Sequence, residues 1–388
     1  MTAYSKLSRE PSSGYGDLLD DRKSIPRQRR VRGCPVDTFA EARALLRDDE
    51  LHQASFRADL IAKFSDERYA PIIFQRGEQH RRQRAAIARF FTPRTVDTRY
   101  RAIIEHEADL LIGEMQRRGE AALDDMSLRL AVSVAAEIVG VTASNRVGMA
   151  RRLERFFRAG KGAISKSIFD LPRFARAQIY MLDFYVRDVL PAVIARRASP
   201  QEDVISHLIA EGYSDRAILT ECATYAAAGM VTTREFITMA GWHLLERNEL
   251  RTRFLASDEP GRISILEEIL RLEPVVGILS RRDPTTGKTY EIDIRRTNAD
   301  TTAVGACPHA IDPDRGRALR VGGAGLAFGD GSHRCPGASI AILETEIFLN
   351  RLFRVPGLSL AIAPKISWND LISGYELRGC MLKVLGYG

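Results

Sequence analysis

The sequence predicts a predominantly α-helical domain with a small β-rich part, on three observations. Helical periodicity recurs in successive segments between Thr38 and Glu246. One helix of about thirty residues without proline lies past the middle of the chain. Short β-like runs punctuated by Pro, Gly and Asp follow Leu272. No Ser/Gly linker divides the 388 residues, so one integrated domain over 38–388 is expected, preceded by a polar arm over 1–37.

Taken in order, Thr38 to Leu46 and Gln75 to Phe91 have apolar residues at helical spacing, and Pro93 suits the start of a helix that Arg94 to Gly119 continues. Ala121 to Val141, Arg146 to Ala163, Pro172 to Arg197 and Asp203 to Glu211 add helices broken by Gly, Pro and Ser. Ser214 is the candidate N-cap of the long helix, which reaches about Glu246 and at 1.5 Å per residue would run about 50 Å. Its middle contains Gly229, Thr232 and Thr233, poor helix-interior residues that such a helix keeps for close packing or for a site. Gly261 to Leu272 is a further helix, and Val275 to Ser280, Thr289 to Ile292 and Thr301 to Val304 read as short strands. A Gly-rich loop from Gly322 to Gly331 leads through Cys335 to a helix over Ala338 to Phe353, with weak strand signals at Leu358 to Ile362 and Cys380 to Leu385.

Composition excludes several classes. With 45% hydrophobic and 28% charged residues the chain is neither disordered nor collagen-like. Its first twenty residues lack an apolar run after a basic start, and no stretch reaches 18 apolar residues without a charge, so a cytoplasmic protein with no membrane segment is expected. The net charge is +7, but only 8 of 57 basic residues are Lys, a bias that reads as base composition; no nucleic-acid partner is expected. Five cysteines, at 34, 222, 307, 335 and 380, show neither a disulfide framework nor zinc spacing.

One cysteine stands apart. Phe328-Gly329-Asp330-Gly331-Ser332-His333-Arg334-Cys335-Pro336-Gly337 sets Cys335 in a Gly-punctuated loop, beside a cation and just before a helix. Glycines let backbone approach a flat cofactor, while amide N–H groups and a helix N-terminus favour thiolate. Spacing alone also allows an inert turn cysteine.

These ten residues resemble the haem-binding loop of the cytochrome P450 family, whose pattern is Phe, Gly, any, Gly, any, His or Arg, any, Cys, any, Gly. The resemblance implies a P450-like fold with a long central helix over haem b (iron protoporphyrin IX). It further implies Cys335 as proximal thiolate and metal ligand, Phe328 near the sulfur, His333 reaching a propionate and Gly337 closing the loop. Thiolate ligation favours O–O cleavage, a generalisation drawn from this same family.

Other segments follow in the family's order, from about Thr38 to Leu385. Glu268 to Arg271 resembles the Glu-x-x-Arg helix, which implies a network with a later arginine, Arg315; outside that context the pair reads as a solvated surface contact. His80 and Arg84 share a helix face and resemble the propionate-binding His and Arg, with Arg281 as a third candidate despite the adjoining Arg282. Arg81, Arg82 and Arg89 form an outer basic face suited to an acidic electron donor.

Ala228-Gly229-Met230-Val231-Thr232-Thr233 resembles the oxygen-binding stretch of the central helix. Thr232 is then the distal threonine, although a mid-helix Thr also bonds back to the carbonyl four residues earlier. Val231 occupies the family's acid position, so proton delivery must use water, Thr232 or a substrate group. Arg234 and Glu235 lie just beyond, with Glu235 turned about 40° from Val231.

The function implied is a haem-thiolate monooxygenase that inserts one atom of dioxygen into a small or medium lipophilic organic substrate. A separate ferredoxin or flavodoxin with its NAD(P)H-dependent reductase is the expected partner, since 388 residues leave no room for a fused reductase; a monomer is expected. The alternatives are a peroxide-dependent peroxygenase and a non-hydroxylating oxidation such as epoxidation or oxidative coupling. A haem sensor would lack the substrate-sized cavity, and a thiol hydrolase would need a His within reach of Cys335. The expected substrate walls are Leu51 to Gln75, Arg146 to Tyr180, Tyr225 to Thr232, Val275 to Leu279 and Ser373 to Tyr375.

Overall fold

Side-chain caps set several helix starts: Thr38, Asp203, Ser214 and Asp258 each accept a backbone N–H from the first turn. The computed structural model describes residues 33–55, 71–159, 171–315, 322–370 and 372–384. The front half contains β1 (Cys34–Val36), α1 (Phe39–Arg47), β2 (His52–Gln53), α2 (Gly77–Ala88), α3 (Arg101–Arg118), β3 (Glu120–Ala122), α4 (Leu123–Val139) and α5 (Arg146–Ala159). Then come α6 (Leu171–Phe184), α7 (Leu190–Ala198), α8 (Val204–Ala210), α9 (Asp215–Tyr225), α10 (Thr232–Glu246), α11 (Asn248–Ala256) and α12 (Glu259–Leu272). The remainder is β4 (Ile278–Arg282), β5 (Thr289–Asp293), α13 (Ile294–Asn298), α14 (Thr301–Val304), α15 (Ala338–Leu352), β6 (Leu358–Ile362), β7 (Lys365–Asn369), β8 (Gly374–Arg378) and β9 (Met381–Val384).

The fold is helical with small sheets, as expected. Most of the polar arm, up to residue 32, lies outside the described residues, as do the wall stretches 56–70 and 160–170 and Leu385. Residues 34–36, assigned to the arm, instead form β1, because Val36 is buried and the strand pairs in parallel with Tyr290 to Ile292 of β5. Thr301–Val304 is not a strand but a helical turn: the Asp300 carboxylate accepts the Thr302 amide at 2.9 Å and also the Phe39 amide at 2.9 Å. The sequence reading missed α11 and the β7–β8 hairpin. Among the described residues no helix is long and apolar enough to cross a membrane.

Four strands in the order β1-β5-β4-β2 make one sheet, β3-β9-β6 a second and β7-β8 a third. Val36, Phe39, Leu46, Leu279, Ile292 and Leu326 form a small apolar cluster that fastens α1 and the first sheet to the loop leading to Cys335. The larger core gathers α3, α4, α9, α10, α12 and α15. The central helix is not uniform: Ala226–Val231 is a π-helical turn between α9 and α10. Such a turn shifts the phase of everything after it, and π-bulges concentrate at functional sites.

A buried ion network holds the C-terminal loops. Glu268 takes both guanidinium nitrogens Nε and Nη2 of Arg271 at 2.7 Å, Nε of Arg315 at 3.1 Å and the Asp312 amide at 3.1 Å. Arg271 also donates to the carbonyls of Asn298 and Pro308, each at 2.8 Å, and Arg315 to that of Cys307 at 2.9 Å. Asn298 extends the network, since its Nδ2 donates to the Arg271 carbonyl at 3.0 Å and its Oδ1 accepts from Leu326 at 2.8 Å. Every member is satisfied, which is the condition for such a network to rigidify rather than weaken a core. Glu268→Ala would strand two buried arginines, and we expect it to cost about 3–5 kcal/mol, read as a lower urea midpoint with unchanged slope.

Candidate functional site

The loop around Cys335 is fixed by backbone geometry that few side chains tolerate. Gly331 has φ +70°, and a Cβ there would sit 2.6 Å from the Leu46 carbonyl oxygen. Asp330 ties the same turn to α1 by accepting from Arg43 and Arg47, each at 2.9 Å, and from the Gly331 amide at 2.8 Å. The Cys335 amide donates to the Phe328 carbonyl at 2.9 Å, closing the loop.

The sulfur accepts a hydrogen bond from the Gly337 amide, just before α15. Burial pushes the Cys335 thiol up, opposed by that amide and by Arg84 and Arg334. The residue nevertheless retains accessible surface. Strong desolvation together with accessible surface is what a group facing an enclosed chamber shows.

On one side of this sulfur lies a concentration of nitrogen donors. His80, buried on α2, stacks on His333 with ring centroids 4.2 Å apart. Burial and the neighbouring cations Arg84 and Arg281 push His333 down to about 3. Arg84, one turn along α2 from His80, donates to the Arg334 carbonyl. Arg281, 2% exposed on β4, contacts the Gln53 side chain, and burial alone pushes it down to about 10. No carboxylate among the described residues pairs with Arg84 or Arg281. Its neighbour Arg282 is exposed, so the structure separates two arginines that the sequence left in competition. A buried cation without a counter-ion costs several kcal/mol unless an anion arrives. The donor set therefore fits haem: a thiol for iron, and two arginines with two imidazoles for its propionates.

On the central helix Ala228 is exposed and Gly229 and Thr232 are half-buried, although Ala226, Met230, Val231 and Thr233 are buried. These three border open space, and the Thr232 hydroxyl donates back to the Ala228 carbonyl, as its residue type allows. Val231 points elsewhere. It is 2% exposed and lines a narrow cleft with Met230, Leu153, Glu154, Arg234 and Arg378. Glu235 is structural: it accepts from the Leu377 amide at 2.9 Å, from Arg378 at 2.8 Å and from Arg234 at 3.1 Å, pinning β8 to α10. Two expected wall segments do meet, for the Gly277 amide donates to the Ser373 carbonyl at 3.1 Å and a Cβ on Gly374 would overlap the Val275 carbonyl. Arg81, Arg82 and Arg89 are exposed along α2.

Sequence reasoning missed Asp330 as an anchor and Asn298 as the link between network and loop. The motif assigned position 330 to no residue type, and nothing local marks Asn298. Gly325, where φ is +56° and a Cβ would lie 2.4 Å from the Asn298 Oδ1, was the available signal.

No family model matches the chain. The "Biotin biosynthesis cytochrome P450" of Bacillus subtilis is 26% identical over 93% of each chain. The "Cyclomarin C epoxidase CymV" of Salinispora arenicola is 31% identical over 71% of this chain and 70% of its own. Among solved structures, CalO2 superposes with TM-score 0.78 at 20% identity over 99% of this chain and 98% of its own. P450BioI in complex with an acyl carrier protein ligated to hexadec-9Z-enoic acid gives 0.73 at 23% identity over 99% of this chain and 100% of its own.

Replacing Arg281 by Met should stabilise the haem-free protein, by roughly 1–4 kcal/mol, because an unpaired buried charge is removed. The same substitution should accelerate haem loss to apomyoglobin, which stopped-flow absorbance would follow.

Proposed function

This chain belongs to the cytochrome P450 family, and from that premise we propose that Cys335 is the iron ligand of a monooxygenase fed by a separate redox protein. Haem b, when bound, supplies the redox centre at which dioxygen is activated. Overall, one dioxygen, two electrons, two protons and R–H become R–OH and water. The observation that carries the reading is Cys335, which accepts from the Gly337 amide and lies near Arg84, a cation that no carboxylate among the described residues pairs with.

Each side chain then has a task. The Gly337 N–H, Arg84 and Arg334 stabilise negative charge on the sulfur, while Phe328 shields it within the core. Arg84 and Arg281 orient the propionates through their planar forks, and His80 and His333 offer ring N–H donors. Thr232 can turn its hydroxyl from the Ala228 carbonyl toward the chamber, where Ala228 and Gly229 leave room. Val231 can neither hold nor pass a proton, so the relay differs from one built on a carboxylate at that position.

The exposed Arg81, Arg82 and Arg89 suit docking of an acidic ferredoxin or flavodoxin, reduced in turn by an NAD(P)H-dependent reductase. The substrate is a small or medium lipophilic molecule, in keeping with the apolar residues among Val275 to Leu279. Epoxidation is the second reading, favoured by the 31% identical relative named as an epoxidase.

Reduced protein treated with carbon monoxide should show the red-shifted Soret band of a thiolate haem. Cys335→Ala should abolish that band; its persistence, or lack of haem in the native protein, would refute the assignment. Val231→Asp should leave the band intact and leave the ratio of product to electrons consumed unchanged, measured with a surrogate ferredoxin, because position 231 faces the cleft beside Arg234 and Arg378, where cations keep a carboxyl ionised.

A further inference from the structure

Position 231 cannot supply a proton, yet the same helix buries a carboxyl that nothing above employs. Glu221 on α9 is 1% exposed. Its Oε1 accepts from the Ile72 amide at 3.2 Å and from Gln83 Nε2 at 3.1 Å. Among the described residues its Oε2 has no partner, and neither do the buried Gln83 Oε1 and the Tyr225 hydroxyl. Buried polar atoms are rarely left unpaired, and three of them on the packed helices α2 and α9 are what a buried water typically joins.

Tyr225 is one helical turn after Glu221 and feels its charge as well as that of Arg84, while Arg84 also acts on Cys335. Through Arg84, which donates to the Arg334 carbonyl, the Cys335 loop is coupled to the cluster. Groups facing it are Gln83 and Arg84 from α2, Tyr213 from the preceding loop, and Cys222 and Tyr225 from its own helix. No cation among the described residues pairs with Glu221, and burial pushes it up to about 7, leaving it a neutral acid that can still ionise near neutrality.

We propose that Glu221, Gln83 and Tyr225 hold an internal water, and that Glu221 supplies through it the protons that residue 231 cannot. In each transfer the Glu221 Oε2–H bond breaks, the water accepts that proton and passes one on by way of Tyr225, and bulk solvent returns a proton to the carboxylate. From Glu221 to Thr232 the helix rises about 16 Å, a span for Tyr225 and several waters. Glu154, across the cleft from Val231, is the weaker candidate because Arg158 pairs with it at 3.0 Å and it remains partly exposed.

The idea rests on the monooxygenase reading, and two measurements separate their failures. Infrared difference spectra should show a carboxylic-acid band that shifts in deuterium oxide, disappears in E221Q and is half lost near pH 7 in the native protein. That band does not depend on haem. In haem-loaded protein, E221Q should keep the carbon monoxide band but lower product per electron by about tenfold or more, with a larger solvent isotope effect. E221D, which keeps a carboxyl at this site, should recover coupling that the isosteric E221Q loses, which a purely structural role would not predict. Should E221Q fail to fold, Y225F reads the same relay. An absent carboxylic-acid band, unchanged coupling in E221Q, or loss of coupling in E154Q alone would overturn the proposal.

Discussion

A buried positive charge without a counter-ion is the constraint on which the rest of this structure turns. Arg281 is closed off on β4, Arg84 is held against the Cys335 loop, and the rings of His80 and His333 stack beside them. Asp49 acts on both rings, but no carboxylate among the described residues pairs with either arginine, and natural cores avoid such packing unless something compensates. Haem would resolve it, because its two propionates would bring the missing charge to these donors. Binding energy of this kind is also folding energy: whatever binds only the folded chain stabilises it by mass action.

That constraint needs rigid loops, which explains why a second set of buried charges is fully paired. Glu268 joins Arg271 and Arg315, Arg271 reaches Asn298, and Asn298 receives the Leu326 amide ahead of the cysteine loop. Asp330 does the same at the loop's other end through Arg43 and Arg47. The contrast is physical. Paired and hydrogen-bonded charges set geometry, whereas the unpaired ones are held ready for a ligand.

Much of this was legible in the residues because the underlying physics is local. Helix periodicity, the Ser214 cap and the Gly-Cys-Gly punctuation each need only a few neighbouring positions. His80 and Arg84 were found because i,i+4 spacing places them on one face. What escaped depends on partners distant in sequence. Asn298 matters only once Arg271 and Leu326 are brought to it, Thr301–Val304 became a turn because Asp300 caps it, and the direction of Val231 depends on a π turn that no periodicity rule encodes.

That π turn bears on chemistry as well as on shape. One inserted residue changes which side chains face the chamber, so Ala228 and Thr232 reach open space while Val231 is turned into the cleft against α5. An acid at position 231 would sit beside Arg234 and Arg378, both already engaged with Glu235. Three carboxylates and arginines interlocked there would hold a proton poorly, since each cation favours the ionised form. Glu221 has the opposite surroundings: amide donors on one oxygen, no cation among the described residues paired with the other, and a depth that favours the neutral acid. A helix that replaces a carboxylate with valine among cations and keeps one among amides has moved its proton-holding group, not lost it.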